Sequence, residues 1–263
     1  MALRLARWTC ALAALAATVP AAASADPAAG ITGSADLALF DTANPAGLTS
    51  RPITGLQTGS EKVVGLDTRP ATGQLFLITV PTGAVANALV RSYTLDPVTA
   101  TATFVASIPG GTVPGTADSP TGADFNPVVD RLRVVNAGNE SFRINPNNGS
   151  LSGDDTDLTY SAPATGPVTA VAFDRNVAPG PPGTPAPPGT LTTLYGIDVG
   201  ADRLVTIGGV GGENPGGQNG GTVRAEGRLG VAVDDTSDAG LDIAANGSAF
   251  ASLRSAGSPL STA

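Results

Sequence analysis

Short apolar runs recur along this chain, each closed by an acidic residue or an Asn-Pro turn. They appear in Val63-Val64-Gly65-Leu66-Asp67, Ala123-Asp124-Phe125-Asn126-Pro127, Val171-Ala172-Phe173-Asp174 and Val231-Ala232-Val233-Asp234. The reference aspartates 67, 124, 174 and 234 are spaced 57, 50 and 60 residues apart. A second marker keeps phase with the first: Tyr93-Thr94-Leu95-Asp96-Pro97, Phe142-Arg143-Ile144-Asn145-Pro146 and Tyr195-Gly196-Ile197-Asp198. Two markers in phase at a period of about fifty residues predict one supersecondary unit copied several times, as in propellers.

Within a copy the pattern predicts short strands. The first copy reads as strands at Val63–Asp67, Gln74–Thr79, Leu89–Leu95 and Thr101–Ala106, separated by segments rich in Gly, Pro, Asp and Thr that preset turn dihedrals. The second has strands near Arg131–Val135 and Ser141–Asn145. The third has Val168–Asp174, Thr192–Asp198, Arg203–Ile207 and Thr222–Glu226. The fourth begins at Leu229–Asp234 and continues through Leu241–Ala245 and Ala249–Leu253. Asp36–Asp41 and Pro52–Leu56 resemble the later strands of a copy without a beginning, so the two chain ends are expected to complete one blade between them. Helical periodicity is absent after the N-terminal segment. The fold class expected is all-β: a propeller-like array of about four to five four-stranded blades, incomplete at the C-terminus.

The N-terminus carries Arg4 and Arg7, an apolar stretch from Trp8 to Val19, and Ala23-Ser24-Ala25 before Asp26, the three regions of a secretory signal peptide. Residues 1–25 are read as that signal, 26–34 as a flexible segment, 35–253 as the propeller-like domain and 254–263 as a disordered tail. Pro- and Gly-rich insertions at 179–190 and 208–221 are expected to pack against nothing. The protein is expected to be secreted or periplasmic, with no membrane span. Cys10 lies inside the signal, so the mature chain has no cysteine and must gain stability from apolar burial. Net charge is −8, and loss of Arg4 and Arg7 leaves 12 basic against 22 acidic residues, or −10. Such an acidic surface argues against nucleic acid and anionic lipid as partners.

At Gly65-Leu66-Asp67-Thr68-Arg69-Pro70-Ala71-Thr72-Gly73-Gln74-Leu75-Phe76 and at Asp124-Phe125-Asn126-Pro127-Val128-Val129-Asp130-Arg131-Leu132-Arg133-Val134-Val135 the chain resembles a secreted bacterial family catalogued as domain of unknown function 4394. The resemblance covers roughly Ile31 to Phe250, with Leu39-Phe40-Asp41-Thr42-Ala43-Asn44-Pro45 and Thr193-Leu194-Tyr195-Gly196-Ile197-Asp198 adding to it. It implies a β-propeller and an extracytoplasmic location, and no catalytic residues. Members usually carry a further Tyr-x-Ile-Asp-like turn near the C-terminus, where this chain has Gly257-Ser258-Pro259-Leu260.

The chain has no histidine, which together with the missing cysteine excludes the usual Ser-His and Cys-His nucleophiles and the preferred ligands of zinc, copper and iron. Paired carboxylates remain, the hardware of glycoside hydrolysis. Asp67, Asp124, Asp174 and Asp234 are candidates to meet near one face of a ring, where they could hold a cation or polarise a sugar. Their simpler role is to accept backbone hydrogen bonds in a turn, which every blade needs. No cofactor is predicted; calcium is the one ion that Asp154-Asp155-Thr156-Asp157 could hold, and a solvated acidic loop explains that cluster more simply. Arg131, Arg133 and Arg143 are candidates for a small anion-binding patch, against cross-strand ion pairing with nearby aspartates.

The function expected is a non-catalytic binding or scaffold module for an envelope protein or glycan. The alternative is a carboxylate-dependent extracellular polysaccharide hydrolase or lyase.

Overall fold

A computed structural model describes residues 26–82, 90–108, 119–176, 191–214, 216–236 and 239–257. The chain is nearly all β and forms a four-bladed propeller. Strands β1 (Pro27–Thr32), β2 (Asp36–Asp41) and β3 (Asn44–Pro52) make an antiparallel N-terminal sheet. The first blade is β4 (Glu61–Arg69), β5 (Gln74–Pro81), β6 (Val90–Asp96) and β7 (Thr101–Ile108), and the second is β8 (Thr121–Asn126), β9 (Arg131–Asn136), β10 (Ser141–Ile144) and β11 (Leu151–Asp154). After β12 (Thr159–Ser161) the third blade follows with β13 (Val168–Phe173), β14 (Leu194–Asp198), β15 (Arg203–Ile207) and β16 (Thr222–Arg228). β17 (Gly240–Ile243) and β18 (Ala249–Ser252) form a C-terminal hairpin.

The recurring Asx residue is a turn device. The Asn126 side chain accepts the Val128 N–H at 2.9 Å while its carbonyl accepts the Asp130 N–H at 3.0 Å, and Asp130 takes a left-handed φ of 52°. Asp96 repeats the arrangement, with Val98 N–H on its carboxylate and Ala100 N–H on its carbonyl. Asn and Asp favour such turns because a short side-chain oxygen reaches the amide two residues on.

The core lies between sheets. Phe76, Ile78 and Val80 of the first blade pack on Phe125, Leu132 and Val134 of the second, with the Phe76 and Phe125 rings edge to face at 5.4 Å. Val135 and Leu158 meet Val171, Phe173 and Leu194 in the next interface. Leu37 and Ile53 cover Val63, Leu77 and Tyr93 of the first blade, and Leu241 of the hairpin packs on Ala170 and Ile197 of the third. At the axis, β4 lies beside β8, β8 beside β13 and β13 beside β17. Glycine permits this close approach: a Cβ on Gly122 would sit 2.8 Å from Ala170 Cα, and one on Gly65 would sit 2.6 Å from Ala123 Cβ.

Several expectations are corrected. Residues 27–32, read as flexible, form β1. Pro52–Leu56 is not a strand: β3 ends at Pro52, and Thr54 makes an isolated parallel bridge to Thr101. Leu229–Asp234 holds only a bridge from Val233 to Ser255, so the innermost strand of the last blade is β17. The N-terminal sheet and the C-terminal hairpin flank the first and third blades, but no strand pairing joins them among the described residues.

Residues 208–214 and 216–221 also make contacts. They make 3-10 turns at Val210–Gly212 and Gly217–Gly220, with Gln218 Nε2 donating to the Thr192 carbonyl at 2.7 Å and the Gly211 N–H to Thr193 Oγ1 at 3.0 Å. Glycine-rich backbone can fold tightly enough to satisfy its own polar groups, which composition alone does not reveal. In the segment read as a disordered tail, Arg254 pairs with Asp234 and Ala256 N–H donates to the Ala232 carbonyl. The insertion at 179–190 and residues 258–263 lie outside the described residues.

Candidate functional site

Strand alternation turns every second residue of an inner strand toward the axis, and the spacing Gly-x-Asp repeats there. Asp67 follows Gly65 on β4, Asp124 follows Gly122 on β8, and Asp242 follows Gly240 on β17. One oxygen from each of these three carboxylates lies within 4.8 Å of the others. Asp124 is 1% exposed and Asp67 9%, while Asp242 is exposed at the open side of the cluster.

Each buried carboxylate also reaches into the next blade. Asp67 Oδ2 accepts the Phe125 N–H at 2.7 Å, with Oδ1 on its neighbour Thr68 N–H at 2.6 Å. Asp124 Oδ2 accepts the Phe173 N–H at 2.8 Å. Because Phe125 and Phe173 are equivalent partners, Ala172 occupies the third blade's place in the ring of aspartates. The cluster therefore has three members and a gap.

Burial pushes the Asp67 carboxyl up to about 8, opposed by the Phe125 N–H and reinforced by the charge of Asp242. Burial also raises Asp124 well above the carboxylate range, with the Asp67 charge as the next cause. Protein packed around the Asp242 carboxyl raises it too, although the residue as a whole is exposed. Asp67 and Asp124 bring carboxyl oxygens within 4.8 Å of each other in a buried site, and two carboxyls so placed cannot both ionise cheaply. The cluster can thus do one of two things at neutral pH: share protons, or surround a small cation with oxygen ligands.

The other candidates stand elsewhere. Asp174 closes a turn, its Oδ1 accepting the Thr193 N–H at 2.6 Å and the Thr192 hydroxyl at 2.9 Å. Asp234 accepts the Thr236 N–H and hydroxyl, beside Arg254. Neither meets Asp67 and Asp124. Asp242 was missed because Asp234 fits the spacing of the repeat; the tripeptide Gly240-Leu241-Asp242, matching Gly65-Leu66-Asp67, was the available signal. It is ambiguous by itself, since Gly196-Ile197-Asp198 shares it and lies on β14, where Asp198 accepts the Thr165 and Gly166 N–H groups.

Arg133 and Arg143 are register partners on β9 and β10 and converge on Asp155, at 2.6 Å and 2.7 Å. Arg133 is 2% exposed, and its Nη2 donates to Asn219 in the glycine-rich loop of the third blade. Burial pulls its pKa down to about 10. Arg131 stands apart, donating to the Val129 and Asp130 carbonyls. The expected patch of three arginines is thus a pair, Arg133 buried and Arg143 partly exposed, that shares one aspartate. Both Asp155 oxygens are occupied by guanidinium groups, so the 154–157 loop offers calcium fewer free ligands than its composition suggests.

A model of the family described as domain of unknown function (DUF4394) matches residues 36–262. The chain belongs to the DUF4394 family. Solved structures similar to this DUF4394 chain include dipeptidyl peptidase 4 of Porphyromonas gingivalis (12% identity, TM-score 0.31, covering 65% of this chain) and a DUF4623 family protein of Bacteroides eggerthii (16%, 0.38, 82%). Apo AztD of Citrobacter koseri is a third (12%, 0.28, 69%). The chain spans 23%, 62% and 56% of their respective lengths. No curated protein matches the sequence. Among the described residues no helix is long and apolar enough to cross a membrane.

Proposed function

We propose that this DUF4394 chain is an exported, non-catalytic binding or scaffold module that engages an envelope protein or glycan through its loops. The observation that carries this reading is how the chemistry-bearing side chains are used. Asp67 and Asp124 tie adjacent blades through backbone N–H groups, Asp174 and Asp234 hold turns, and Arg133 and Arg143 share Asp155. These groups maintain a rigid scaffold, and rigid scaffolds present recognition loops. With three tyrosines and seven phenylalanines, of which Phe104 is the large exposed one among the described residues, sugar stacking is poorly provided for and a protein ligand is favoured.

The hydrolase alternative has one point in its favour, a carboxyl at about 8 that could donate a proton near neutral pH. Glycoside hydrolysis, however, needs two carboxyl groups about 5 to 9.5 Å apart around a bound sugar. Asp67 and Asp124 bring oxygens within 4.8 Å of each other and are both buried.

Export is supported by the tripartite leader and by β1 starting at Pro27, next to the expected cleavage point. Terminal sequencing of the protein recovered from a secreting host should begin at Asp26; a retained leader would refute export by cleavage. For the binding role, immobilised mature chain is incubated with native envelope extract and with envelope and plant polysaccharides. Retention without release of reducing ends is expected. Cleavage that vanishes in a folded Asp124→Asn variant would overturn the non-catalytic reading.

A further inference from the structure

The second strand of each complete blade is paired on both sides: β5, β9 and β14 all lie between two neighbours. β18 holds the same place in the last blade, and among the described residues its one strand partner is β17. The ladder has a definite phase. Ala244 N–H donates to the Ser248 carbonyl at 2.8 Å, and antiparallel alternation then makes Asp242–Phe250 and Gly240–Ser252 the bonded pairs. The N–H and C=O groups of Ala249 and Ala251 therefore point away from β17, and both residues are exposed.

Other open edges of this molecule carry features that discourage pairing. β3 contains Pro45, Arg51 and Pro52, β1 starts at Pro27, and β11 ends in Asp154. The outer strands of the first and third blades receive parallel partners, Thr54 against Thr101 and β12 against β16. β18 reads Ala-Phe-Ala-Ser, with neither proline nor charge, which are the usual protections of a strand edge.

We propose that the outer edge of β18, unpaired among the described residues, docks an extended segment of another polypeptide, added as the third strand of the last blade. This rests on the reading of the chain as a binding module and names its partner as a protein strand. Backbone hydrogen bonds would supply the affinity, and side-chain alternation the selectivity. Charge selects the occupant. Just beyond the strand a pocket of about 410 Å³ is lined by Asp202 and Asp235 together with Asp234, which Arg254 pairs, so the acidic side chains there outnumber the one basic partner. An uncharged or basic segment suits this acidic setting, whereas a second copy of a mature chain with 12 basic against 22 acidic residues is repelled.

The test uses full-length mature chain and a synthetic peptide copying Arg203-Leu204-Val205-Thr206-Ile207-Gly208, the third strand of the third blade and its flank. Expected are saturable binding by fluorescence anisotropy and slowed hydrogen exchange at the Ala249 and Ala251 amides. Ala251→Pro removes one outward N–H while sparing the β17 ladder, and should weaken binding about tenfold. Should that variant unfold, Ala251→Lys places a repelling charge on the same edge and should weaken binding with the fold intact. The proposal falls if peptide protection maps elsewhere, if the Ala249 and Ala251 amides are already protected without peptide, or if the chain dimerises through this edge. Peptide failure with retention of an envelope protein sinks only the strand site; failure of both sinks the binding role as well.

Discussion

Replacing Asp124 by asparagine tests whether a proton holds the axial carboxylates together. A carboxyl titrates near 4 in an unfolded chain. Asp67 titrates at about 8 in the fold, and burial moves Asp124 in the same direction. The folded state therefore binds more protons than the unfolded state across that window, so stability is greatest at its acid end and falls as pH rises. One proton contributes about 1.4 kcal/mol per pH unit, and about four units for Asp67 amount to on the order of 5 kcal/mol. That is comparable with the whole net stability of many domains. In Asp124→Asn the amide oxygen still accepts the Phe173 N–H, and the neutral amide removes one of the two neighbouring buried carboxyls that burial keeps protonated. The variant should lose about 1.4 kcal/mol per pH unit of the slope and be more stable than the parent by about 2 kcal/mol or more near pH 8. Urea unfolding followed by circular dichroism, from about pH 5 to about pH 8 with a chelator present, measures both quantities. An unchanged slope in the variant would refute the reasoning. So would parent stability that rises with pH.

Three further outcomes follow from the geometry. Calcium added near pH 8 should raise the Tm of the parent if the axial oxygens bind it and leave Asp124→Asn less affected; equal shifts in both would place any calcium elsewhere. Gly122→Ala forces a Cβ to within 2.8 Å of the Ala170 backbone and should cost about 1 to 3 kcal/mol in denaturant unfolding, whereas Gly227→Ala, with open space around it, should change stability by less than about 0.5 kcal/mol. Arg133→Ala breaks a buried pair but leaves Arg143 on Asp155, so the loss should be about 3 kcal/mol, with faster hydrogen exchange in residues 216–221 where Asn219 is released; unaltered exchange there would contradict the tie between blades.

The repeat of Asx turns was legible because each blade needs the same local device, and local devices depend on residues adjacent in sequence. Asn126 and Asp96 act on amides two residues away, so their role follows from the chain itself. For the same reason Asp174 and Asp234 could be given a turn role before any contact was known. The alternating apolar residues likewise determined that strands would form, and roughly where.

Which aspartates meet was decided only by tertiary structure. Asp67, Asp124 and Asp242 are separated by 57 and 118 residues, and their meeting depends on how β4, β8 and β17 are staggered about the axis, which spacing alone misassigned to Asp234. Arg133 shows the same division: its charge is plain in sequence, but its burial and its reach to Asn219 arise from two blades packing together. Sequence determined the unit and its turns because those are short-range hydrogen bonds. Register between units, and with it burial and pKa, is set by apolar faces that exist only once the blades are side by side.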